Sequence, residues 1–267
     1  MNKTQTTQEL ARKIRIHSLQ MANRAGTSHI GSCLSCADIL AVLYGSVMKY
    51  RPDNPNWEGR DRFILSKGHA GSVLYATLAE CGFFPVEMLD THCQSGSILL
   101  GHVSHKVPGV EVSSGALGHG LPIGCGMAMA LRNSGNTKSR VFVLLGDGDL
   151  NEGSTWEAVM FARQHGLDNL TAIVDYNRIQ CIDRSENILD LGRITEKWEA
   201  FGWETWDVQG HNHFSLKTAL TQPLSKPNCI IAHTVKGKGV SFIQDKVEWH
   251  HRSPNGKELE KALEELY

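Results

Sequence analysis

The sequence predicts an α/β protein built on a doubly wound, mostly parallel sheet with helices on both faces. Three observations lead there. Two apolar runs, residues 141–145 and 170–174, the second with a single Thr, have the length and composition of strands buried on both sides. A helical segment from 154 to about 164 joins them, which makes a strand–turn–helix–strand unit. Further strands and helices alternate along the rest of the 267 residues, the pattern of a parallel sheet with helical crossovers. The length suits one large domain spanning 1–267.

Taken in order, residues 8–24 read as an amphipathic helix, because Leu10, Ile14, Leu19 and Met21 interleave with Arg12, Lys13 and Arg15. The segment 26–32, rich in Gly and Ser, is a turn. The apolar stretch 36–48 is a helix, expected to be capped by Ser35 with Asp38 in its first turn. Pro, Asn and Asp make 51–62 a loop. Phe63-Ile64-Leu65 is a short strand running into Ser66-Lys67-Gly68-His69-Ala70-Gly71, and a helix follows over 72–81. Residues 85–114 show no period and are expected to wrap the surface. A helix through Arg132 opens after Gly115-Ala116-Leu117-Gly118-His119-Gly120, its Gly and Ala suited to close backbone packing. Strands are expected at 204–208 and 229–234, with a crossover helix over 211–220 between them. Residues 256–267 form a charged helix with Leu259, Leu263 and Leu266 on one side.

A formal charge of −1 offers no electrostatic argument for nucleic acid or an anionic membrane. No apolar run is expected to reach membrane-spanning length, and residues 1–9 are polar, without the hydrophobic stretch of a secretory signal. Seven cysteines, an odd number in a large chain, point to reduced thiols in the cytoplasm. Cys33-x-x-Cys36 lies among Leu34, Ala37, Ile39 and Leu40 and has no second pair to complete a zinc site, so buried helix cysteines are expected. His92, Cys93, His102 and His105 have no spacing that builds a metal centre.

The chemistry concentrates in Gly146-Asp147-Gly148-Asp149-Leu150-Asn151-Glu152-Gly153 and Val174-Asp175-Tyr176-Asn177. Asp147 and Asn177 follow neighbouring strands, and that edge of an open α/β sheet is where ligands bind. A carboxylate, an amide oxygen and a helix N-terminus suit a divalent cation carrying a diphosphate. Lys236-Gly237-Lys238-Gly239, after the 229–234 strand, either grips a phosphate or is a solvated loop. Trp156 and Glu157 fit packing and capping better than catalysis. His17, His165, His211 and His213 lack any Gly-rich turn context and are expected on the surface.

The extended pattern, Gly-Asp-Gly-x-x-x-Glu-Gly-x-x-Trp-Glu-Ala followed by Asp-Tyr-Asn, resembles the N-terminal, thiamine-diphosphate-binding (PP-type) domain of transketolases. The resemblance runs from about residue 8 to 256. It implies that Asp147, Asn177 and the Ile179 carbonyl bind Mg²⁺ (or Ca²⁺ or Mn²⁺), and that Gly148 and His69 contact the cofactor. It places Gly115 and Leu117 at the aminopyrimidine. His29, His69, His102 and His250 would surround the thiazolium and substrate, with Glu152 at an interface with its counterpart across the dimer. Histidine suits proton transfer near neutral pH. Two departures stand out. His119 replaces a Gln and is expected to add a titratable group beside the cofactor. His250-His251 stands where the family has His-Gly, with a left-handed backbone disfavoured at residue 251.

The pyrimidine-binding domain that follows in transketolases lies beyond this sequence. The resemblance therefore implies a split transketolase: ketol transfer between a ketose donor and an aldose acceptor, both phosphorylated sugars, with a separately encoded C-terminal subunit in an α2β2 heterotetramer. Alternatives are a decarboxylating thiamine enzyme subunit, similar to deoxyxylulose-phosphate synthase or a 2-oxo-acid dehydrogenase α subunit, and a non-catalytic cofactor-domain scaffold.

Overall fold

The computed structural model describes residues 5–267, so the first part of the polar N-terminal stretch lies outside it. The sheet is fully parallel, in the order β1-β2-β3-β5-β4. Its members are β1 (Arg62–Leu65), β2 (Val141–Gly146), β3 (Leu170–Tyr176), β4 (Glu204–Gln209) and β5 (Asn228–His233). The helices are α1 (Thr7–Ala25), α2 (Ile30–Val42), α3 (Gly71–Glu80), α4 (Gly120–Asn133), α5 (Gly153–Gln164), α6 (Ser185–Leu189), α7 (Ile194–Ala200), α8 (His213–Leu220) and α9 (Gly256–Leu266).

Alternation along the buried strands divides the core in two. Phe142, Leu144, Ile173 and Ile230 face a cluster with α1, α2, α3 and α8. Val141, Val143, Leu145, Ala172, Val174 and Ile231 face a second cluster with α4, α5 and α7. A strand buried on both faces has few polar positions to spare, which is why β2 and most of β3 read as apolar runs, the buried Thr171 and Asp175 being the exceptions in β3. In-register pairing of Gly146 with Asp175 sets Asp147 and Asn177 just past the ends of adjacent strands.

Several sequence expectations change. Helix α2 begins at Ile30, not Cys36. His29, at φ 74°, is the N-cap residue, and Ser35 lies inside the helix donating to Asp175 Oδ2. The whole of α2 is buried, so packing rather than the Gly- and Ser-rich composition of 26–32 decides where it starts. Residues 30–47 form a helical stretch long and apolar enough to cross a membrane by length and composition, against expectation; Gly31, Ser32 and Ser35 interrupt the apolar letters but not the average. Most of that stretch is covered by the chain itself, as in a core helix.

The 85–114 segment does not simply wrap the surface: Leu89, Leu99, Val103 and Val107 are buried in the first core cluster. Helices α6 and α7 come in addition to the elements expected. Helix α9 is amphipathic as expected, with Leu259 and Leu266 packed on the core. Cys33 and Cys36 are free and buried, and no cluster of metal-binding side chains occurs among the described residues. His17, His211 and His213 are not surface residues. His17 pairs with Glu80, His211 and His213 with Asp38, all part-buried; His165 is exposed.

Candidate active site

Four strands deliver their C-terminal ends to one place. The turn after β1 brings Lys67 and His69, that after β2 brings Asp147 and Gly148, that after β3 brings Asn177 and Ile179, and that after β5 brings Lys236. All of these but the buried Lys236, together with His29 at the start of α2 and His102 from the 85–114 segment, line a cavity of about 280 Å³. His29, His69, His102, His250, Gly115, Leu117, Gly148, Asp147, Asn177 and Ile179 all border it, so nearly the whole sequence-derived set converges.

The two carboxylates of the Gly-Asp-Gly-Asp turn do opposite jobs. Asp149 accepts from Ser66 Oγ at 2.5 Å, the Gly118 N–H at 2.9 Å and the Gly146 N–H at 2.8 Å, and so ties three loops together. Asp147 has both oxygens buried and without a hydrogen bond. A buried polar atom with no partner is rare in a folded protein and asks for a missing one. Burial, and then the neighbouring Asp175, push the Asp147 carboxyl up to about 7, an effect that Lys67 and the nearby Arg178 N–H relieve only in part. A divalent cation is the partner that this carboxylate fits.

The other predicted ligands are fixed by hydrogen bonds of their own. Asn177 directs Nδ2 toward Asp175 Oδ2 (3.4 Å) and Ser35 Oγ (3.3 Å), which turns Oδ1 the other way, toward the Ile179 N–H at 3.1 Å. Lys236 Nζ donates to the Ile179 carbonyl at 3.0 Å and to the Gln180 carbonyl at 3.3 Å. Each oxygen keeps a second lone pair for a cation. A side chain at Gly148 would start 2.9 Å from Leu117 Cδ1, and one at Gly115 2.9 Å from His102 Cδ2. Glycine at these two places lets the loops close on the cavity.

Behind the site, Lys67 pairs with Asp175, both fully buried, while Asp175 also accepts from Ser35 and Thr234. The sequence alone assigns neither Lys67 nor Asp175 a role. It also passes over Ser32, Gln180 and Cys181, which line the same cavity. Their one signal is position, next to a strand end or beside a recognised ligand.

The histidines form a tight group. The His29 ring lies 5.0 Å from those of His69 and His250 and 6.2 Å from His102, and His69 lies 5.7 Å from His250. Burial lowers His29 to about 4, with help from His102, and His250 to about 3, with help from Lys236; His69 is lowered too. All three are neutral at pH 7, each offering one donor and one acceptor. Because their folded pKa values are depressed, their contribution to stability is present above about 6.5 and is lost as pH falls through about 4 and 3. The His29 and His250 ring protons are therefore expected to show no titration by NMR between pH 8 and 5.5. A midpoint near 6.5 for either would contradict this burial.

Two residues stand apart from this group, and a third, His251, joins its edge with its ring 5.0 Å from that of His250. Glu152 is exposed at the N-cap of α5 and lies outside the cavity lining. His119 is exposed with Nδ1 3.0 Å from the Leu117 carbonyl, and it too is absent from the lining. His251 has φ −107°, a right-handed backbone as expected, and its Nε2 lies 3.0 Å from Cys181 Sγ.

A family model described as "Transketolase, thiamine diphosphate binding domain" matches residues 6–266. An apulose-4-phosphate transketolase subunit of Actinobacillus succinogenes is 46% identical over 248 residues, covering 92% of this chain and 90% of that protein. The 6-deoxy-6-sulfo-D-fructose transketolase subunit of Clostridium sp. is 38% identical over 263 residues, covering 97% and 95%. The crystal structure of Campylobacter jejuni transketolase superposes with a TM-score of 0.92 at 33% identity over 97% of this chain. This chain spans 42% of the length of that protein.

Proposed function

The chain belongs to the transketolase family, matching its thiamine diphosphate binding domain, and on that premise we propose that it is one subunit of a split transketolase. Its reaction is two-carbon ketol transfer from a ketose to an aldose, both phosphorylated sugars, completed by a separately encoded C-terminal subunit in an α2β2 assembly. The observation that carries this reading is the unpartnered Asp147 carboxylate beside Asn177, facing the histidine group across one cavity.

Thiamine diphosphate, when bound, supplies the electron sink for breaking and remaking a carbon–carbon bond next to a carbonyl. The protein's part is binding, orientation and proton movement. Asp147, Asn177 Oδ1 and the Ile179 carbonyl would hold Mg²⁺, or Ca²⁺ or Mn²⁺ in its place. The Gly148 N–H would meet the diphosphate, and Gly115 and Leu117 would border the aminopyrimidine. His29, His69, His102 and His250 would hydrogen-bond sugar hydroxyls and exchange protons with them. We assign Glu152 to the contact between subunits.

Support for a partner comes from the outer face of α4 and α5. Ile123, Met160 and Phe161 are 37%, 50% and 40% exposed there, around an apolar groove lined by Pro122, Cys125 and Ala158. Apolar side chains gathered in this way mark contact surfaces. The Actinobacillus and Clostridium proteins are matched over nearly their whole lengths and bear transketolase names, which favours this reading over the decarboxylating and scaffold alternatives. A cytoplasmic location is in keeping with seven free cysteines, five of them buried.

The test is reconstitution. The purified chain alone is expected to give no ketol transfer, and mixing it with its partner subunit, thiamine diphosphate and Mg²⁺ is expected to restore it. Turnover by the single chain, or release of carbon dioxide from pyruvate by the complex, would count against the proposal.

A further inference from the structure

The turn after β5 carries Lys236 up against Ile179, Gln180 and His250, three residues that line the cavity, and the residues on either side of it are fixed to different parts of the fold. The Gly237 N–H donates to the Gly31 carbonyl of α2 at 3.0 Å. The Val235 N–H donates to Nε2 of His211 at 2.8 Å. A ring nitrogen that accepts carries no proton, so His211 is neutral and protonated on Nδ1, which donates to Asp38 Oδ2 at 2.6 Å.

Asp38 is itself held firmly. The Arg15 guanidinium from α1 grips both its oxygens, at 3.1 and 2.5 Å, and His213 Nε2 lies 3.0 Å from Oδ1. Burial alone would raise this carboxyl, but hydrogen bonds from His211 and His213, with Arg15, outweigh it and keep Asp38 far below the usual range. A permanently charged Asp38 leaves His211 one tautomer. At the other end of the relay, Lys236 Nζ lies 2.7 Å from His250 Nδ1; as an ammonium with two protons on the Ile179 and Gln180 carbonyls it gives the third to this nitrogen, and His250 then keeps its proton on Nε2.

We propose that His211 is a positioning residue of the active site. Through the Val235 peptide it sets the place of Lys236, and through Lys236 it sets the tautomer of His250. His211 does not line the cavity; it borders a separate surface cleft with Arg15, Asp38 and His213. Nothing in its sequence context marks it for this task. The inference rests on the proposed ketol transfer only where it concerns turnover.

The experiment uses the full chain with His211→Ala, His211→Gln and His211→Asn. The Gln side-chain oxygen reaches the position of the accepting ring nitrogen, whereas Asn fills only the Nδ1 side. Long-range nitrogen–proton NMR on the His250 ring is expected to show a single Nε2–H tautomer in the parent and the Gln variant, and a mixture in the Ala and Asn variants. In the reconstituted complex, His211→Ala is expected to lower kcat about tenfold, the scale of one lost hydrogen bond, with little change in KM. In a Lys236→Met background the same substitution is expected to add no further loss.

An unchanged His250 tautomer in folded His211→Ala would overturn the proposal, as would an equal tenfold loss in the Lys236→Met background. Should His211→Ala not fold, the Gln and Asn variants decide, and identical behaviour of the two would sink it. A complex without ketol transfer but with the expected tautomer change would remove the proposed function and leave the positioning role standing.

Discussion

Asp147→Asn is expected to make the metal-free chain more stable at pH 8 while removing cofactor-dependent activity from the complex. The folded pKa of Asp147 lies near 7, above its ordinary 3.8, because burial and Asp175 oppose its charge. A raised carboxyl contributes stability that is full below about pH 4 and is lost as pH rises through about 7. Replacing it with a neutral isostere abolishes that loss, a gain on the order of a few kcal/mol at pH 8. The same substitution takes away the one charged group among the proposed cation ligands. Cofactor affinity is expected to fall by more than the roughly 10–100-fold typical of residues that merely support a ligand. Cation affinity of the parent should rise with pH up to about 7 and level off above it. Thermal unfolding at pH 5 and 8, with calorimetry of thiamine diphosphate and Mg²⁺ binding, reads both effects. An Asn variant that is less stable at pH 8, or that binds cofactor normally, would count against Asp147 as the cation's anchor.

Lys67→Met is expected to have the largest effect on the fold. The ammonium and Asp175 are both fully buried, and Lys67 also donates to the Ser32 carbonyl at 3.1 Å. Burial alone would lower Lys67, but Asp175 holds it above the usual lysine value. Removing one member of a buried pair leaves an uncompensated charge and costs about 3–5 kcal/mol. For a chain of this size that corresponds to a Tm lower by roughly 10 °C. Asp175→Asn in the same chain is expected to recover part of the loss, since the pair rather than the packing is at stake. An unchanged Tm in Lys67→Met would mean that Asp175 does not need its counter-charge. The pair also orients Asn177, so it links the core to the cation seat.

What can be read from the sequence follows from where the physics is local. β2 and β3 announce themselves because strands buried on both faces are mostly apolar, and the glycine-bounded Asp147 turn carries its own chemistry. The histidines are visible as a set through the resemblance, but the depressed pKa values of His29, His69 and His250 arise only when the fold buries them together. The start of α2 is not legible because tertiary packing overrides Gly and Ser. His211 and Lys67 are opaque for a related reason: a Lys or His reads as a solvated side chain until a partner distant in sequence, Asp38 or Asp175, is brought to it. Helix α6 is short with no buried residue, and α7 spans only seven residues, so its buried Ile194 and Trp198 are too brief a period to reveal it.

The cation seat is tested most directly by crystallising the reconstituted complex with thiamine diphosphate and Mn²⁺ and collecting anomalous data. A single manganese peak is expected at metal–oxygen distance, about 2.1–2.2 Å, from Asp147 and Asn177 Oδ1, with the Ile179 carbonyl also in its shell. A peak elsewhere, or Asp147 turned away from the metal, would contradict the assignment on which the proposed activity rests.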